Sequence, residues 1–325
     1  MIVGWHGVSL ADEHCRFPSL FISPQSFEQR IQYLQRHYTI ITMDEAVAQL
    51  REGRVAPGQV VLTFDDGYFN FLAKAVPILD RYNLTATNYI VAHHTESQAL
   101  HVGHMVDDIL FSCERGTYTI PLLGEIELKG PEQRQAVAKE CKRQLERRAA
   151  PRRVHLLREI AEALQFDAGQ IINSRRWQSL NPSEVKRLAG EGHLMQIHGH
   201  RHRDAVNHFD ELSEEVVVCK ESVERMTARR AVHFCYPSGL WDKRAWTILA
   251  ALGVESAVTT RLGPNFPRTP ILALRRVLNG ENRSQIEFEF QMSNLRWLLH
   301  ILIRPWRIFA PSEKKRPYRD CPVPF

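Results

Sequence analysis

The run Val60-Val61-Leu62-Thr63-Phe64, followed at once by Asp65-Asp66-Gly67, constrains this chain more than any other stretch. Its residues are mostly β-branched or aromatic and lie between Gly58 and Gly67. That pattern predicts a strand buried on both faces, as in a parallel sheet. In α/β folds the carboxyl ends of such strands are where ligands collect, and two carboxylates stand at this one. Neighbouring side chains on an extended backbone point to opposite sides, so Asp65 and Asp66 are expected to meet different partners. One could hold a metal while the other stays free as a base. The plainer alternative is a solvated Asp-Asp-Gly turn.

A second stretch, Met195-Gln196-Ile197-His198-Gly199-His200-Arg201-His202, follows another helix-then-strand pattern and carries three histidines. His198 and His202 are four apart, a spacing that converges on one ion if the segment turns helically after the strand. One Asp and two His leave an open position on Zn²⁺ or a similar ion, as in hydrolytic sites. His200 falls out of phase and is expected to point elsewhere. The alternative here is a basic surface loop.

Together the two stretches resemble the polysaccharide deacetylase family, metal-dependent carbohydrate esterases that include chitooligosaccharide and peptidoglycan deacetylases. Thr63 to Gly67 matches the family's first motif, and His198 with His202 matches its H-x-x-x-H motif. The resemblance runs from about residue 2 to about residue 280. It implies an α/β fold, a distorted (β/α) barrel. It also implies Asp65 as catalytic base, and Asp66, His198 and His202 as ligands of a divalent metal, zinc foremost. Phe234-Cys235-Tyr236-Pro237-Ser238-Gly239 resembles a third motif that lines the site, which gives Tyr236 and Pro237 a substrate role. The Tyr236 N–H is the implied oxyanion donor.

Two departures stand out. Many members carry an arginine in the third motif that orients the catalytic Asp; here Phe234 or Cys235 occupies its place. Many also carry a late histidine as general acid, whereas Ile271 to Val277 holds none. Some members supply the acid from an early strand instead, and Trp5-His6-Gly7-Val8 resembles it, so His6 is the candidate acid. Its alternative is a packed histidine at a strand end.

At 44% hydrophobic, 325 residues can bury a full barrel core. The net charge of +5 comes from 42 basic and 37 acidic residues. That excess suits an anionic glycan, a lipid-linked intermediate or a membrane surface, and is too diffuse to indicate nucleic acid. The six cysteines show no C-x-x-C spacing, which predicts free thiols in a reducing compartment. Met1 to Trp5 runs into a strand without the pattern of a signal peptide. The expected location is the cytoplasm, at the inner face of the membrane if the tail binds lipid.

Along the chain, Ser26 is the expected cap of a helix with Phe27, Ile31 and Leu34 on its buried face. Thr42 and Glu45 form a capping-box pattern. Residues 71–82 read as a helix perturbed by Pro77, and His93-His94 as a polar loop. Residues of about 95–175 read as an insertion over the barrel mouth, with a hairpin near 117–128 and helices from Pro131. Five arginines between Arg143 and Arg153 predict a solvated helix face broken at Pro151. Asn181-Pro182-Ser183-Glu184 starts another helix. Asp242 to Leu252 reads as a helix and Leu272 to Leu278 as the last strand. The expected organisation is a barrel over 1–290 and a tail over 291–325. Within that tail, 294–307 is basic, apolar and tryptophan-bearing, which fits either a helix on an anionic membrane or one docked on the barrel. Residues 311–325 are expected to be disordered.

The reaction expected from these residues is hydrolytic removal of an N-acetyl group from an amino sugar, with a carbohydrate as the substrate partner. Two rivals remain: a hydrolase of small amides or ureides, and a glycan-binding module without turnover.

Overall fold

The computed structural model describes residues 1–98 and 100–293, in two units. The first comprises residues 1–96 and 180–293; the second comprises 97–179. In the first, seven parallel strands form a curled sheet. Their order is Ser256–Val258, His233–Cys235, Leu194–Ile197, Thr87–Ile90, Gln59–Phe64, Ile2–Trp5 and Val277–Leu278. An eighth strand, Thr39–Ile40, pairs with Gln59 and Val60. The sheet's ends meet where Leu274 bridges Val258 in parallel. The Leu274 N–H donates to Ala257 O and the Thr259 N–H to Leu274 O, each at 2.8 Å. This is the expected α/β barrel.

The strand alternation partitions its side chains between two layers. Val60, Leu62 and Phe64 pack outward with Phe27, Ile31 and Leu34 of the helix Pro24–His37. Val61 faces the lumen with Ile2, Tyr89, Cys235, Val258 and Leu274. Met43 and Val47 of the helix Met43–Glu52 join that inner cluster. Each such side chain contributes roughly 1.5–3 kcal/mol on burial. A one-residue slip would exchange the two faces, so the register of the strand is firmly set. Thr63 and Asp65 continue the inward row beyond Val61. Registration thus delivers Asp65 to the lumen side.

The capping boxes at Thr42–Glu45 and Asn181–Glu184 form as expected. Four local expectations are corrected. Ser23, not Ser26, caps the helix Pro24–His37, because Pro24 suits the first helical position. Residues 71–82 divide into a wide π turn, Phe71–Ala75, and a helix, Val76–Arg81; Pro77 has no N–H to give to the preceding turn. The helix expected from Asp242 begins at Ala245 and ends at Ala251. The last strand is interrupted: Pro270 leads into a tight turn at Ile271–Ala273, Leu274 makes the closing bridge, and pairing with Ile2–Trp5 begins only at Val277.

The second unit has its own core. Antiparallel strands Gly116–Ile120 and Gly124–Leu128 form the expected hairpin. Helices Val102–Ser112, Pro131–Glu146 and Ala150–Ala163 accompany it. Val106, Ile109, Leu128, Cys141, Leu157 and Ile160 are buried. Asp108 is fully buried and accepts a hydrogen bond from Trp177 Nε1 at 2.5 Å, with Arg176 3.3 Å away. Among the described residues no helix is long and apolar enough to cross a membrane. The stretch 294–307 and the segment 311–325 lie outside the described residues.

Candidate active site

Asp65 is the first residue past the strand Gln59–Phe64, and its N–H still donates to Trp5 O at 2.9 Å. The residue is 3% exposed. Arg276, just ahead of Val277–Leu278, reaches across the lumen and meets it in a fork: Nη1 to Oδ1 and Nη2 to Oδ2, both 2.7 Å. The remaining guanidinium donors also have partners. Nε donates to Thr259 O at 3.0 Å, and Nη2 lies 3.2 Å from Cys235 Sγ. Burial alone would raise the Asp65 pKa; the Arg276 charge and its hydrogen bonds overcome this and hold it below the usual carboxylate range. Asp65 is therefore an ionised, immobilised carboxylate.

Asp66 diverges from Asp65 through a backbone kink, in addition to the strand alternation expected from sequence. Its φ is +69°, left-handed for a non-glycine residue. Gly67 follows at φ +66°, where a Cβ would lie 2.9 Å from Ile90 Cδ1. Asp66 Oδ1 then sits 3.2 Å from His198 Nε2 and 3.4 Å from His202 Nε2. The expected helical turn between the histidines is absent. His198 and His202 converge through a loop with positive φ at Gly199 and His202, and their rings meet edge to face at 4.8 Å.

One carboxylate oxygen and two ring nitrogens thus lie within 4.8 Å of one another. Donors about 2.0–2.2 Å from a common ion stand roughly 3–3.5 Å apart, so the three residues fit a divalent metal. His198 Nδ1 faces Cys235 O at 2.9 Å, which leaves Nε2 for the ion. Asp65, His198 and Cys235 form a second close group, but both Asp65 oxygens are already taken by Arg276.

Without an ion the charges arrange themselves in a definite way. Burial disfavours charge on His198, yet Cys235 and Asp66 hold its pKa well above the ordinary value. Asp66 is held well below its usual range against its burial, chiefly by His198 and His202. His202 is pushed down to about 4, by burial first and by His198 and His6 against the pull of Asp66.

His6 follows the strand Ile2–Trp5, half-buried, and its charge acts on Asp65, Asp66 and His202. Tyr236 carries the implied oxyanion donor. Its N–H is donated to Val258 O at 3.2 Å, its hydroxyl to Leu272 O at 2.9 Å, and the residue is 1% exposed. The N–H faces the neighbouring strand in this conformation. Pro237 is buried at the start of a tight turn. His93 and His94 begin the helix Ala92–Ser97 and do not form a loop. His94 is pushed down to about 4, by burial first and then by His202. His200 does point elsewhere, its ring edge-on to His93 at 5.6 Å.

The residue missed from sequence is Arg276. The third-motif position holds Cys235, and the guanidinium arrives from a different strand to the same carboxylate. The available sign was an arginine at a lumen-facing position of an apolar run, Leu274-Arg275-Arg276-Val277.

The family model for polysaccharide deacetylases matches residues 52–159 and 158–257. The chain belongs to the polysaccharide deacetylase family. The poly-β-1,6-N-acetyl-D-glucosamine N-deacetylase of Staphylococcus epidermidis is 25% identical over 95 residues, 29% of this chain and 33% of that protein. The Staphylococcus aureus protein of the same name is 28% identical over 81 residues, 25% of this chain and 28% of that one. The match spans a third or less of these curated relatives. Among solved structures, the Streptococcus pyogenes deacetylase PplD in complex with acetate superposes with a TM-score of 0.60 at 19% identity, over 90% of this chain and 96% of that one. IcaB from Ammonifex degensii gives 0.56 at 15% identity, over 90% and 94%. At these identities the likeness shows the fold.

Proposed function

We propose that this protein removes N-acetyl groups hydrolytically from an amino sugar of a glycan or glycan precursor, in the making of a surface polysaccharide. The observation that carries the proposal is the ionised Asp65, clamped by Arg276 beside the convergent Asp66, His198 and His202. The names of the staphylococcal relatives support N-acetylglucosamine as the sugar. A divalent ion, zinc foremost, bound by Asp66, His198 and His202 would polarise the amide carbonyl and acidify water.

Asp65 takes a proton from the attacking water, and its fixed fork with Arg276 keeps the accepting oxygens in place. His6 gives a proton to the amide nitrogen as the C–N bond breaks, so a free amine and acetate leave. His198 is held in one ring orientation by Cys235 O, and Asp66 by its backbone kink. Cys15, Cys141, Cys219 and Cys235 are free thiols, which supports a reducing compartment, the cytoplasm. The basic, tryptophan-bearing sequence 294–307 supports work beside an anionic membrane.

The test is amine release from β-1,6-linked N-acetylglucosamine oligomers, chitooligosaccharides and lipid- or nucleotide-linked N-acetyl sugars, with cyclic amides for comparison. Zinc-loaded wild type should release amine from an acyl sugar, and Asp65→Asn should lose release while retaining zinc. Turnover of cyclic amides alone, or zinc binding with no turnover of any substrate, would overturn the reading.

A further inference from the structure

We propose that Glu215 is the positioning residue that fixes His202, and with it the geometry of the histidine loop. The inference rests on the reading of Asp66, His198 and His202 as a metal-ligand set.

Residues 198–203 belong to no helix or strand, so their peptide groups need partners from outside the segment. The His198 N–H finds Ile90 O at 3.0 Å, at the end of the sheet. Beyond it the chain turns through Gly199 at φ +83° and His202 at φ +61°. A histidine at positive φ is disfavoured unless its surroundings hold it there. Glu215, the fourth residue of the helix Leu212–Thr227, does so from below. Its side chain is buried, with the residue 1% exposed.

Glu215 Oε2 accepts the Arg201 N–H at 2.7 Å and the Arg203 N–H at 3.4 Å. These are the residues on either side of His202, so one carboxylate oxygen fixes the backbone both before and after the ligand. Oε1 accepts Arg201 Nε at 2.9 Å. The loop is shaped to receive this carboxylate: a Cβ at position 199 would stand 3.2 Å from Oε2, and glycine leaves that approach open. Arg201 also meets Glu214 and Glu211, and Arg203 meets Glu211, but these carboxylates are solvent-accessible and such pairs contribute little. The amide bonds to Glu215 are the part of the strap that sets direction.

Cobalt(II) serves as the probe, because its visible spectrum reports ligand geometry and its titration gives affinity. Hydrogen exchange at the Arg201 and Arg203 amides of the metal-free protein reports the loop directly. Glu215→Ala removes every acceptor; Glu215→Gln keeps one oxygen at the same length. The expected results are a cobalt affinity ~10–100-fold weaker in Glu215→Ala with an altered spectrum, and a smaller loss in Glu215→Gln. Exchange at both amides should quicken in the same order, and Glu214→Gln should match wild type. If Glu215→Ala does not fold, Glu215→Gln carries the test with the same readouts. Wild-type binding of cobalt with equal affinity, spectrum and exchange in the folded Glu215 variants overturns the inference alone. Wild type that binds no cobalt overturns the ligand-set reading and this inference with it.

Discussion

Replacing Arg276 with methionine separates the charge of Asp65 from its position. In the wild type Asp65 is 3% exposed and both carboxylate oxygens receive guanidinium donors at 2.7 Å. Methionine leaves Asp65 in the same lumen without a countercharge. Removing one partner of a buried pair costs about 3–5 kcal/mol while the other remains charged. Protonation relieves part of that cost, so the Asp65 pKa rises, since burial already acts in that direction. A protonated Asp65 cannot accept a proton from water, and loss of a general base lowers kcat by ~10²–10⁴-fold near neutral pH. The acid limb of the kcat/KM profile should move toward neutral pH, with activity partly recovered in alkali. Urea unfolding should show the lost stability, and adding Asp65→Asn to Arg276→Met should restore most of it, because no buried charge remains. Arg276→Lys should fall between, with the charge kept and the fork lost. Wild-type kcat/KM with an unmoved acid limb in Arg276→Met, or no coupling in the double variant, would refute the reasoning.

His6→Gln should lower kcat by about 10²-fold and leave zinc affinity within about twofold, as expected of a proton donor that is not a ligand; an unchanged kcat would remove His6 from the mechanism. Metal binding should release a proton, because the His198 pKa is held well above its ordinary value and a ligand histidine must be neutral. Zinc affinity should therefore fall about tenfold per pH unit below the raised His198 pKa, and a flat titration between pH 5 and about 8 would contradict this charge arrangement. Asp65 and Asp66 both have depressed folded pKa values. Their stabilisation is fully present above the unfolded carboxylate value of about 4 and is lost as pH falls through the folded values. Urea midpoints of metal-free Asp65→Asn should then show a weaker acid dependence than wild type, and identical slopes would argue against it.

Local chemistry made several elements legible from sequence. Thr42 and Glu45, and Asn181, Pro182 and Glu184, lie within one helical turn of each other, so their caps depend on neighbours a few positions away. The helix Pro24–His37 shows the limit of such reading: its buried face was evident from Phe27, Ile31 and Leu34, while its start was decided by Pro24 next to Ser23. The run Val60 to Phe64 announced a two-sided strand because its composition admits no solvated face. Asp65, Asp66, His198 and His202 were found from spacing and resemblance, although the turn that joins the histidines was not.

The sequence by itself determined which residue types reach the ends of the strands, because alternation and capping are local. Tertiary structure decided which of them meet. Arg276 reaches Asp65 only because the barrel closes through Leu274 and Val258, which carries the last strand round to the lumen side of the first carboxylate. The Tyr236 N–H meets Val258 O because the strands His233–Cys235 and Ser256–Val258 lie side by side. Glu215 comes under the histidine loop by the packing of its helix, and only there do the amides of Arg201 and Arg203 find one acceptor. Each of these contacts joins separate elements of the fold. Their distances depend on sheet closure and helix packing, which no local pattern encodes.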